Sequence, residues 1–100
     1  EYVNSIIVET TTIDRQAARL GLDRLDFIKM DIESAELEAL RGAEETLRKF
    51  KPKLAVCLYH KPGDYLKIPK FINYLGIGFR FYFDHTSPTG WDSICFATVA

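Results

Sequence analysis

The sequence is sparing with the residues that announce a function by themselves. Its two cysteines, Cys57 and Cys95, each sit inside an apolar run and in neither a CxxC nor a Cys/His ligand spacing. That excludes a disulfide scaffold and a thiolate zinc site, and reads as buried free thiols in a reducing, cytoplasmic setting. No apolar run approaches the ~20 residues of a membrane-spanning helix, and no basic segment leads into an apolar one as in a secretion signal. Neither charge sign is in excess: 13 basic against 14 acidic residues leave −1, which gives no electrostatic reason to expect nucleic acid or an anionic membrane. Neither a P-loop nor a G-x-S-x-G elbow occurs. The close glycine pair Gly76 and Gly78 follows a helical pattern and precedes a strand, the wrong context for a phosphate-binding loop.

What is present is a core. At 47% hydrophobic and 13% aromatic residues over 100 positions, the chain reads as one compact domain that needs neither disulfide nor metal to fold. Residues 1–50 carry eleven acids and seven bases (−4), and residues 51–100 three acids and six bases (+3). The elements alternate. "SIIVET" is a short β-branched strand, "TTIDRQAARLGL" a helix with capping residues Thr12 and Asp14 and a glycine stop at Gly21, and "LDFIKMDI" a strand with apolar residues on both faces. A single long helix is expected next: Ser34 as N-cap, Glu36 and Glu38 in the first turn, and a stripe of Leu37, Leu40, Ala43, Leu47 and Phe50, closed where Pro52 forces Lys51 out of helical geometry. "KLAVCLYH" reads as a doubly buried strand. Residues 65–75 follow as a helix interrupted or restarted at Pro69, then "GFRFYFD" with Phe79, Phe81 and Phe83 on one drier face, the loop "HTSPTGW", and the strand "SICFATVA".

Strands joined by helices pair in parallel, and the last two, joined by a short loop, pair as an antiparallel hairpin. Such open α/β sheets bind ligands at the carboxyl ends of their parallel strands. Asp31 and His60 both fall there. Glu36 and Glu38 are accounted for by the helix dipole, whereas Asp31 is as suited to a ligand as to a turn. No metal site is assigned, because Asp31 and Glu33 are only a D-x-E adjacency, a weak signal for an oxygen-ligated cation. Cys57 and His60, three apart in a strand, face opposite ways and do not make a thiol enzyme. His85 and Trp91 read as loop and rim residues rather than acceptor contacts.

The stretch "LDFIKMDIESAELEALRGAEETLRKFKPKLAV" resembles the pattern F-I-K-[IV]-D-[VI]-E-G-A-E, L-x-G-A and K-P-x-[LI] of FkbM-type methyltransferases. "VETTTID" and "SPTGWDSICFATVA" look like that family's preceding and closing segments. The resemblance implies the C-terminal half of a Rossmann-like class I methyltransferase sheet. It implies S-adenosyl-L-methionine as cofactor and a small-molecule or sugar hydroxyl as acceptor. It places Asp31 near the methionine end of the cofactor or the acceptor, and Glu33 and His60 at the same rim, where a carboxylate or imidazole can orient a hydroxyl or take its proton. Ser34 stands where the family generally has Gly.

The family's glycine-rich first strand and loop, and the acid that holds the ribose, have no counterpart in these residues. A micromolar ligand needs about 8 kcal/mol, and a few charge-assisted hydrogen bonds at about 1.5–3 kcal/mol each, less ordering costs, fall short. The isolated chain is therefore expected to be an inactive fragment. An uncovered strand edge at "DFIKMDI" or "SIIVE" favours self-association. A non-catalytic binding or assembly module on the same fold is the alternative.

Overall fold

The computed structural model describes residues 9–84 and 93–99. The expected strand "SIIVET" lies largely, and the readings of His85 and Trp91 entirely, outside them. In chain order the elements are α1 (Ile13–Leu20), β1 (Phe27–Met30), α2 (Glu36–Arg41), α3 (Glu44–Phe50), β2 (Lys53–Cys57), α4 (Asp64–Tyr74), β3 (Phe79–Asp84) and β4 (Ile94–Val99). The four strands form one mixed sheet of order β1-β2-β4-β3. β1 and β2 are parallel, with Phe27 opposite Lys53 and Met30 opposite Val56. β4 runs antiparallel to both β2 and β3 and lies between them. The parallel start and the antiparallel close agree with the sequence, and β4 adds its other edge to β2.

β2 is the spine. Leu54, Val56 and Leu58 alternate with Ala55 and Cys57, and all five are buried, because strand residues two apart share a face. Val56 and Leu58 join Met30, Leu40, Leu47, Ile68, Ile72 and Cys95 in one core cluster. Truncating Leu40 or Leu47, both at 0% exposure, would cost about 2–5 kcal/mol by the usual large-to-small range. β1 departs from expectation: Phe27 is 52% exposed and Lys29 is exposed, with Met30 alone buried. Among the described residues β1 is an edge strand, and the face that carries Phe27 and Lys29 is exposed. The dry face of β3 likewise holds for Phe79 and Phe81 and ends at Phe83, which is 58% exposed where the strand runs past the core.

The long helix expected over residues 34–50 is two helices, broken at Gly42 and Ala43. The break is filled by α1. A β-carbon on Gly42 would lie 3.1 Å from Thr12 Cβ, so the missing side chain is what lets α1 come so close. Thr12 caps α1 as expected, accepting from the Arg15 amide at 3.1 Å. Asp14 does not cap its own helix. Its carboxylate accepts from the amides of Glu45 and Thr46 at 3.1 and 2.8 Å and from the Thr46 hydroxyl at 2.6 Å, which satisfies the free amides that the break creates at the start of α3. The Asp14 amide donates to the Gly42 carbonyl at 2.9 Å. Arg48 pairs with Glu44, as the i,i+4 spacing predicts, and also donates to the Leu75 carbonyl at 2.9 Å, closing the end of α4. α4 itself runs through Pro69 without a restart. A proline at that position removes only one helical amide.

Replacing Asp14 with Ala should cost about 1–3 kcal/mol in urea unfolding, the range for a lost cap combined with a half-buried hydrogen-bond set. Asp14→Asn, which keeps an acceptor oxygen, should cost less. Equal losses in the two variants would show that charge rather than capping matters there.

Candidate functional site

β1 ends at Met30, and the chain turns sharply into α2 through Glu33 (φ 54°) and Ser34 (φ 81°). Both are left-handed, a region that L side chains enter at a cost of about 1 kcal/mol or more. Ser34 therefore is not the N-cap. That position belongs to Ala35, which offers no side-chain bond. The glycine usual at position 34 in the resembled pattern is what a φ of 81° favours. Glu36, in the first turn, folds back, and its Oε2 accepts from the Ile32 amide at 2.8 Å, which ties the helix start to the strand end.

That return stroke buries Glu36 completely, at 0% exposure, and leaves its Oε1 with no partner. Glu36 is in the first turn as expected, but the helix dipole does not account for its burial. Three carboxylates surround one imidazole. His60, three residues beyond β2, has its side chain only 8% exposed, with Nδ1 3.0 Å from Glu36 Oε2 and Nε2 3.3 Å from Asp31 Oδ1 and 3.7 Å from Glu33 Oε1. The Nδ1 approach is close without hydrogen-bond alignment, so Nδ1 too lacks a directed partner. Asp31 is half-exposed and Glu33 is 89% exposed. The three residues named from sequence thus meet at one rim, with Glu33 on its outer, solvated side. One signal could have exposed Glu36: an acid four residues after a strand-end amide, across a tight turn, is placed to return to it.

The neighbours complete the site. The Tyr59 ring lies tilted at 44° against His60 with centroids 4.2 Å apart, and its hydroxyl donates to Asp31 Oδ1 at 3.3 Å. Withdrawal from water, and then the Asp31 charge, push the phenol up to about 12, so it stays a donor at neutral pH. Burial, reinforced by Asp31 and Glu36, likewise pushes the Cys57 thiol up, which disfavours its thiolate. Asp64, at the start of α4, is 2% exposed, and its Oδ2 has no partner. Burial first and the Glu36 charge second raise its pKa, against smaller opposing effects of Lys61, Lys67 and His60. Asp31, Glu36 and His60 each offer a ligand atom, all within 4.8 Å of one another. They could hold a cation, and this set is not the D-x-E pair weighed from sequence.

The Methyltransferase FkbM domain matches residues 1–82. The chain belongs to the FkbM methyltransferase family. Among solved structures it is similar to methyltransferase FkbM from Methylobacillus flagellatus KT, with 38% identity and a TM-score of 0.65, over 71% of this chain and 19% of that one. The FkbM chain described here thus spans about a fifth of that relative's length. No curated protein matches. No helix among the described residues of this FkbM domain is long and apolar enough to cross a membrane.

Two outcomes follow for the FkbM site. Ser34→Gly should stabilise the fold by about 0.5–1 kcal/mol in thermal or urea unfolding, because it relieves a left-handed backbone at small entropic cost; a loss would mean that the serine side chain holds the turn. The raised Asp64 pKa means that the folded state holds this proton more tightly than the unfolded chain. Its contribution is full below the ordinary value of 3.8 and is lost as pH rises through the higher folded value. In chelator-treated protein, Asp64→Asn should therefore unfold at higher temperature than wild type at pH 7, with the advantage shrinking as pH falls toward 4. A constant difference across that range would contradict the buried-charge account.

Proposed function

We propose that this FkbM domain serves S-adenosyl-L-methionine-dependent O-methylation of a small-molecule or sugar hydroxyl, with Asp31, Glu33 and His60 at the acceptor and methionine rim. The observation that carries this reading is the nearly buried His60 held among carboxylates beyond the carboxyl ends of the parallel pair β1 and β2, where open α/β sheets take ligands. The donor set suits one end of the cofactor. S-adenosylmethionine carries a sulfonium and an ammonium group, and the half-exposed Asp31 presents a carboxylate to cations at the rim. When bound, the cofactor supplies an electrophilic methyl group.

The chain's own residues then prepare the acceptor. Asp31, oriented by the Tyr59 hydroxyl, accepts a hydrogen bond from the acceptor or from the methionine ammonium. His60 Nε2 takes the proton that the hydroxyl loses, and the Glu36 carboxylate 3.0 Å from Nδ1 stabilises the resulting imidazolium. The nearly dry position of His60 strengthens that pairing.

Because these residues cover 19% of the similar FkbM chain, and no glycine-rich strand and loop occurs among them, we read the chain as the carboxyl-terminal part of a Rossmann-like methyltransferase sheet. Methyl transfer then needs residues beyond these hundred. The edge of β1, unpaired among the described residues, with Phe27 at 52% and Leu20 at 68% exposure, favours self-association of the isolated chain.

The test is calorimetric titration of S-adenosylhomocysteine into the longest native form and into the hundred-residue chain, together with transfer of labelled methyl groups to hydroxylated acceptors. Micromolar binding by the long form alone is expected, with Asp31→Asn and His60→Gln each lowering kcat about 100-fold at unchanged circular dichroism. Absence of binding in both forms would sink the transferase reading and favour a binding module. Light scattering of the hundred-residue chain should give a mass above the monomer's.

A further inference from the structure

We propose that Asp31, Glu36 and His60 form a binding site for a divalent first-row transition-metal ion, of which Mn2+ and Zn2+ are the natural representatives. The proposal shares residues with the transferase reading but does not require it.

The first observation is geometric. One ligand atom from each side chain lies within 4.8 Å of the other two. Atoms bound to one cation at about 2.0–2.2 Å lie about 3–4 Å apart, so small rotations of Asp31 and His60 complete the set. The second observation is independent of that spacing. Glu36 is at 0% exposure with Oε1 unpartnered, and the His60 side chain is at 8% with Nδ1 unpartnered. A buried carboxylate without a full set of partners costs several kcal/mol, and natural structures meet that cost with a pairing charge or a metal. Among the described residues the ion-pair partner of Glu36 is His60, which is shared with Asp31 and Glu33.

The donor set names the metal class. Mg2+ and Ca2+ favour all-oxygen shells, whereas an imidazole with two carboxylates suits Mn2+, Fe2+, Co2+ or Zn2+. The outer contacts are those of a supported site. The Ile32 amide fixes Glu36 at 2.8 Å, and the Tyr59 hydroxyl orients Asp31. Asp31 is half-exposed, so the ion would keep open positions on the rim side. There a hydroxyl could bind and lose its proton more readily, to water at the solvated rim. With the ion in place His60 is a ligand, and the cation takes over the role of activating the hydroxyl.

The experiment needs neither cofactor nor acceptor, so its failure is separate from failure of the transferase reading. MnCl2 and ZnCl2 are titrated by calorimetry into the chelator-stripped full chain, and bound Mn2+ is read independently from loss of the free-ion electron paramagnetic resonance signal. One ion per chain with micromolar affinity is expected. Asp31→Asn and His60→Gln should each weaken it at least tenfold at unchanged circular dichroism, and Glu38→Gln, exposed on the same helix, should leave it within twofold. Glu36→Gln is informative only if it folds, which is why the decision rests on the other two. Millimolar binding alone, or a loss of less than tenfold in either Asp31→Asn or His60→Gln, overturns the proposal.

Discussion

The site depends on a carboxylate that the fold has taken out of water. Glu36 turns back on the strand it follows, accepts from the Ile32 amide and meets His60 from the far side of the parallel pair. One side chain thereby ties the end of β1, the start of α2 and the segment after β2 into a single rim. Its burial is also what makes that rim electrostatically demanding. In a dry setting the charge is screened little, so Glu36 sets the terms on which His60, Asp31 and any visiting cation interact.

A second carboxylate does the corresponding work for the scaffold. The break at Gly42 and Ala43 exposes amides in the middle of what would otherwise be a continuous helix, and Asp14 supplies the acceptor from a helix about thirty positions away in sequence. The two devices cooperate. Leu40 in α2 and Leu47 in α3 stand on either side of the break and both belong to the core, while the first turn of α2 stays at the strand end.

Much of this was legible in the residues. Continuous apolar content marked β2 as the buried spine, the antiparallel partnership of β3 and β4 followed from their closeness in sequence, and Thr12 and Gly21 signalled both ends of α1. Asp31 and His60 were singled out because open α/β sheets take ligands at strand ends, and Glu33 because of the family resemblance. What failed was local logic applied where distant contacts rule. Ser34 has a good cap's chemistry but the wrong φ, and Gly42 looked tolerable inside a helix because nothing nearby in sequence discloses Thr12 against it. β1 looked doubly buried because its composition is apolar, and composition does not say whether a partner layer is present.

The sequence by itself determined the periodicities, and with them which segments are strands and helices, and it carried the pattern of the FkbM family, since these depend on neighbours within a few positions. Only the tertiary structure decided the partner of Asp14, the exposure of Phe27 and the burial of Glu36. Each of those depends on what lies across space, and a carboxylate four residues past a strand is solvated or dry according to where the turn carries it.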